Sequence, residues 1–194
     1  MRPVSMALGG GLAAWLVVSP AVLASPERPQ GPHPAAPPET AQFAFLIGEW
    51  DCSTRRMEPD GSGWSEGHAR WTAYWILGGW AIQDDWESAS ADGGTFRGTN
   101  IRSFNPRSGK WDNRWLPAGT LQWAYYEAEK QDDTMVMIGG EGRDGAGRDF
   151  VDRNTFSDIG ADAWKWRKDR SFDGGRTWIP GVAFIEARRS RPSR

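Results

Sequence analysis

Two short runs of this sequence place polar groups among aromatic ones at a spacing of two. Asn100, Arg102 and Phe104 alternate in TFRGTNIRSF, and Trp111, Asn113 and Trp115 alternate in KWDNRWL. On extended backbone a period of two puts such residues on one face. A guanidinium and an amide beside indole rings can orient the polar part of a small molecule while the rings supply contact area. Trp71 and Gln83, from neighbouring runs, complete the candidate ligand-binding set. An inward Arg102 needs a carboxylate partner or an anionic ligand. The same residues also describe a core filled by its own side chains, with Arg102 in a buried ion pair.

Other chemistry is thinly supplied. Asp84, Asp85 and Glu141 are the carboxylates available for acid/base work of the cyclase or isomerase kind, and no residue is assigned as catalytic. His68 is the one histidine of the expected domain, on the face opposite Trp71 and Trp75, where it reads as a surface group. Cys52 shares a face with Trp50 and reads as a small buried hydrophobe. One Cys and two His cannot assemble a zinc set, and no calcium loop motif surrounds turns such as Asp144-Gly145, so no metal or other cofactor is expected. The formal charge of −2 argues against a nucleic-acid partner. A third possibility is a structural or carbohydrate-contacting module whose exposed Trp residues stack on sugars.

These groups need a scaffold. Residues 1–24 have the layout of a signal peptide: Arg2, an apolar run from Met6 to Val18, then Val22-Leu23-Ala24 before the cut. That run is shorter than the roughly 20 residues of a membrane span, so an exported protein with no membrane segment after cleavage is expected. Residues 25–40 (SPERPQGPHPAAPPET) are proline-rich and predict an extended, disordered linker in which His33 has no partner. The folded domain is expected over residues 41–190, with a frayed tail at 191–194. With a single cysteine no internal disulfide is available, so core burial must hold the fold.

From Phe43 onward the apolar period is two. FLIGEWDCSTRR, HARWTAYWIL, WAIQDDWES, LQWAYYEAE and AWKWRKDRS read as strands, separated by turns such as Gly78-Gly79 and Asn105-Pro106-Arg107-Ser108-Gly109. No stretch of the domain supports a long amphipathic helix. The expectation is an all-β fold, a single antiparallel up-and-down barrel of about ten strands, whose closure removes exposed edges.

One turn invites a different reading. Ser171-Phe172-Asp173-Gly174-Gly175-Arg176-Thr177-Trp178 has the pattern S-x-D-x-G-x-T-W, which resembles the Asp box of sialidases and other secreted β-propeller enzymes. Its residues serve the turn itself. Asp173 can accept from backbone amides, Gly174 and Gly175 can take positive φ, Ser171 and Thr177 can bond across the hairpin, and Trp178 can pack beneath. Glycoside hydrolysis would need two carboxylates, or a Tyr nucleophile, across a cleft. No second copy recurs at a blade-like period, as a propeller requires. The motif is expected to be structural.

Taken in order, FLIGEW (45–50), ILGGWAIQDDW (76–86), GTNIRSFNPRSGKWDNRW (98–115) and SFDGGRTW (171–178) resemble a family of uncharacterised bacterial exported proteins with a calycin-like, lipocalin-type β-barrel. Gly48-x-Trp50 is similar to the lipocalin signature. That resemblance implies that Trp50 plugs one barrel end and an Arg of the last strand, Arg188 or Arg189, stacks on it, with Arg188 taken here. Where the family often has Glu in the strand after the Gly-Gly pair, this chain has Gln83 followed by Asp84. Heme-binding barrels such as nitrobindin share the architecture but use a proximal His near the C-terminal strands. No His follows His68, so His-ligated heme is not expected. The fold implied is a barrel whose lumen can take a small, partly apolar ligand.

Overall fold

Alternation of large apolar with polar residues, interrupted by glycine turns, is what the chain turns into structure. The computed structural model describes residues 28–58, 60–89 and 93–191. The expected signal peptide, the first residues of the linker and residues 192–194 of the tail lie outside the described residues.

The strands are β1 (Gly48–Met57), β2 (Trp64–Ile76), β3 (Ala81–Ala89), β4 (Thr95–Asn105), β5 (Lys110–Pro117), β6 (Ala124–Gln131), β7 (Thr134–Arg143), β8 (Asp149–Ser157), β9 (Ala163–Ser171) and β10 (Ile179–Arg189). Each pairs antiparallel with its neighbour in sequence, and β1 pairs with β10 from Trp50↔Arg189 to Arg56↔Ala183. The result is a closed ten-stranded up-and-down barrel, as the periodicity predicts. Closure leaves no strand edge open to pairing with another chain. In β2, for example, Trp71, Ala73 and Trp75 are buried while the residues between them are only partly so.

The barrel is floored by an element the periodicity does not predict. Pro38–Leu46 forms a 3-10 helix, and β1 starts only at Gly48, so Phe45 and Leu46 do not begin a strand. Proline in the first turn lacks an N–H that the helix would leave unbonded anyway. Phe43 and Leu46 are fully buried. Trp50 Nε1 donates to Leu46 O at 2.7 Å, and Trp111 Nε1 donates to Gln42 Oε1 at 3.1 Å, pinning the helix across the barrel end. Phe43 lies edge-on against Trp111, with centroids 4.9 Å apart. Burying each of these two apolar side chains contributes about 1.5–3 kcal/mol.

The described part of the proline-rich segment also departs from the expected tether. His33 N donates to Gly79 O at 3.0 Å, the His33 ring stacks on Trp80 at 4.8 Å, and Arg28 lies 4.1 Å over the Tyr74 ring. Gly79, at φ 95, has no Cβ, which lets residues 31–33 approach; a Cβ there would come within 2.6 Å of Gly31 O. Proline removes backbone entropy from the unfolded chain, so few contacts suffice to hold the segment. Among the described residues no helix is long and apolar enough to cross a membrane.

Candidate functional site

The lumen above the floor is not full. A cavity of about 550 Å³ opens at the barrel end where β1 stops and β2 begins, lined there by Arg56 and Ser65. Trp71, Trp86, Trp115, Phe156 and Trp166 provide its aromatic wall, with Tyr126, Met137 and Ile185 between them. Gly98 leaves space for Trp115: a Cβ there would fall within 2.8 Å of the indole.

At its deep end a polar network is built from strands β3, β4 and β5. Arg102 Nε donates to Asp84 Oδ2 at 2.5 Å and Nη2 to Asp84 Oδ1 at 3.3 Å. Nη1 donates to Asn113 Oδ1 at 3.0 Å and contacts the Met137 sulfur at 3.4 Å, and Asn100 Nδ2 donates to Asp84 Oδ1 at 2.8 Å. The guanidinium lies 5.0 Å above the Phe43 ring. A buried charge survives only when paired and hydrogen-bonded, and this pair is both.

Among the described residues, two buried polar atoms that belong to cavity-lining residues have no partner. They are Trp71 Nε1, a donor, and Asn154 Oδ1, an acceptor. Burying such atoms unpaired costs about 1–3 kcal/mol each.

The residues expected to form the ligand set divide by position. Trp71, Asn100, Arg102 and Trp115 line the cavity. Asn113 points into the lumen but stands behind Arg102, and Trp111 lies in the floor against Phe43; both are fully buried and neither reaches the cavity. Gln83 is on the outer wall, donating to Asp85 Oδ1 at 3.1 Å, and Asp84 takes the inward position. The cause lies at the 3-10 turn Leu77–Gly79, after which Ala81 and Ile82 are both buried. A one-residue offset in strand phase exchanges the two faces. Lys168, Asn154, Trp166 and Tyr126 were missed, although each sits at an alternating position of its own strand.

The structural assignments also sort themselves. Arg189, not Arg188, stacks on Trp50, with its guanidinium carbon 4.2 Å from the ring centroid. Arg189 is opposite Trp50 in the register, whereas Arg188 faces Asp51 on the outer wall. The Arg189 Nη1 donates to Ile47 O at 3.2 Å, passing over Gly48 at φ 120, where a Cβ would collide with it. In the Asp-box turn, Arg176 N and Thr177 N each donate to Asp173 Oδ1 at 2.9 Å, the Ser171 hydroxyl donates to Oδ1 at 2.7 Å and the Thr177 hydroxyl to Oδ2 at 2.6 Å. Gly175 N donates back to Ser171 Oγ at 2.8 Å. The Thr177 hydroxyl and amide, then the Ser171 hydroxyl, hold the Asp173 carboxyl well below the usual range. Trp178 lies beside this turn, under the Arg153 guanidinium at 4.4 Å. The Ser171, Asp173 and Thr177 side chains are all hydrogen-bonded within the turn.

The remaining chemical candidates have structural surroundings. Of the three carboxylates, Asp84 alone is in the lumen, held by Arg102 and Asn100; Asp85 accepts from Tyr74 on the outside, and Glu141 is exposed. Cys52 is buried, and that burial, with the neighbouring Asp51 carboxylate, pushes its thiol up to about 12. His68 is exposed on the outer wall. Of the exposed indoles, Trp80 stacks with His33 on one face and Trp64 with the Arg55 guanidinium at 4.1 Å, while Trp123 is the most exposed.

Fold and cavity define a calycin-like barrel. At the level of sequence, no protein-family profile and no curated protein matches the chain. Solved structures do share the fold. Rv2717c from M. tuberculosis is 12% identical, and the match covers 80% of this chain and 99% of that one at a TM-score of 0.55. The S-type phycobiliprotein lyase CPES from Guillardia theta is 10% identical, and the match covers 78% of this chain and 92% of that one at a TM-score of 0.54. Identities this low establish the shared fold alone.

Proposed function

We propose that this protein binds a small, partly apolar molecule in the lumen of its barrel. The observation that carries the proposal is an aromatic cavity of about 550 Å³ with the Arg102–Asp84–Asn100 network at its deep end. That volume falls among small-molecule sites, which are mostly apolar with a few placed polar groups. Arg102 and Asn100 form the polar end, with Asn113 fixing the guanidinium from behind. A neighbour of the same fold is a phycobiliprotein lyase, so the architecture is compatible with work on another molecule.

The enzyme alternative has one point in its favour, the lumenal Asp84. Its oxygens already accept from Arg102 and Asn100, so the carboxylate is held within the protein's own network. Binding is therefore the preferred reading. The same proposal places the working barrel outside the cytoplasm after removal of residues 1–24. Amino-terminal sequencing of the mature protein tests this, with Ser25 as the expected first residue.

N-phenyl-1-naphthylamine, a neutral apolar fluorophore, tests the cavity directly. One saturable site is expected, and Ile185→Trp, which adds an indole to the cavity wall, should weaken it. Absence of binding, or binding indifferent to Ile185→Trp, counts against the lumenal site.

A further inference from the structure

The inner wall near the mouth carries more positive than negative charge. Its residues follow one row of the barrel: Arg56 on β1 is opposite Ala183 on β10, which is opposite Lys168 on β9, which is opposite Asn154 on β8. Arg56, Ala183, Lys168 and Asn154 all line the cavity. Asp152 is the nearby inward carboxylate, and Arg170 occupies it at both oxygens, 2.8 and 3.0 Å away. Lys168 Nζ reaches the same carboxylate at only 3.3 Å, so one negative charge serves two cations. The ammonium lies 5.7 Å from the Trp166 ring, which itself lines the cavity. Arg56 makes no ion pair among the described residues. The other carboxylate bordering this mouth, Glu66, is opposite Arg55 in the register. Deeper, Asp84 and Arg102 neutralise each other.

We infer that the lumenal ligand is an anionic amphiphile, its acid group held between Arg56 and Lys168 above Ala183 and its flat apolar body lying against Trp166 and the other aromatics. This rests on the lumenal-binding reading and adds the ligand's charge and direction. Neighbouring strands are about 4.8 Å apart, so the two cations are rooted about 10 Å from each other. The intervening Ala183 leaves room for an oxyanion that both long side chains can reach. Arg56 is exposed at the rim and has no ion pair among the described residues, while Lys168 is partly withdrawn from water and shares its carboxylate. An acid group between them therefore gains charge-assisted hydrogen bonds. Carboxylate, sulfonate and phosphate monoester share this chemistry.

Two probes with nearly the same body separate the ideas: 8-anilinonaphthalene-1-sulfonate carries the acid group and N-phenyl-1-naphthylamine does not. Wild-type protein should bind the sulfonate more tightly, and salt should weaken the sulfonate more than the neutral probe. Lys168→Met and Arg56→Met should each weaken the sulfonate about tenfold and affect the neutral probe far less. Lys168→Arg, which keeps the charge, should retain the preference even if Lys168→Met proves poorly folded. Displacement of the sulfonate by octanoate against octyl phosphate tells which acid fits better. Equal affinity for both probes, or sulfonate binding unaffected by both Met variants, overturns the anion seat while leaving the lumenal site intact. Failure of both probes to bind overturns both.

Discussion

Arg102 Nε donates to Asp84 Oδ2 at 2.5 Å inside the barrel, and each side chain is 1% exposed. A pair this deep gains from mutual attraction but has lost the hydration of both ions, so removing one partner strands the other. Asp84→Ala should therefore destabilise the protein by about 3–5 kcal/mol in urea denaturation. Replacing both, Asp84→Leu with Arg102→Met, should recover most of that loss. A small effect of the single change would mean that Arg102 has another anion.

The floor makes a second prediction. Phe43 is fully buried between Trp111, Phe156 and the Arg102 guanidinium. Phe43→Ala should cost about 3–5 kcal/mol, while Leu77→Ala at an exposed position should stay within about 0.5 kcal/mol. Thermal denaturation of the two variants side by side checks this. Comparable stabilities would show that the 3-10 helix is not a fixed plug.

Acid stability should depend on Asp169. Burial alone would raise its pKa, but the Gly181 amide, Arg153 and Arg167 together outweigh burial and hold the carboxyl below its ordinary value. A carboxyl depressed in the folded state stabilises at pH above its unfolded value, near 3.9, and the contribution disappears as pH falls through the lower folded value. Asp169→Asn should therefore lower stability at pH 7 and flatten the decline below about pH 4. An acid limb that is unchanged by the substitution would contradict the assignment.

Cys52 should be inert while the barrel is folded. Thiolate is the reactive species, and a thiol pushed up to about 12 supplies almost none at neutral pH. Ellman's reagent should react slowly with native protein and rapidly after addition of denaturant. Fast labelling of the native protein would show that β1 opens locally.

Much of the barrel was legible because antiparallel strands report their faces at a period of two. Trp71, Asn100, Arg102, Asn113 and Trp115 were all placed inward on that basis, and the structure agrees. Alternation cannot, however, locate its own breaks. The Leu77–Gly79 turn reset the phase for β3, so Gln83 was chosen over Asp84, and the arginine of β10 opposite Trp50 proved to be Arg189. The floor was hidden for a different reason: a short 3-10 helix has no amphipathic period, and its Phe43 read as the approach to a strand that began at Phe45 and Leu46. Lys168 and Asn154 show the last limit. Their inward positions were readable strand by strand, but their adjacency to each other and to Arg56 comes from register and barrel closure, which no single strand encodes.

Native mass spectrometry of the protein purified from its own host, beside the Ile185→Trp variant, tests lumenal binding most directly. The account predicts that wild-type protein carries a small molecule, released on mild denaturation, and that the variant carries less of it. Wild-type protein that is bare, and that still takes up neither naphthalene probe, would contradict it.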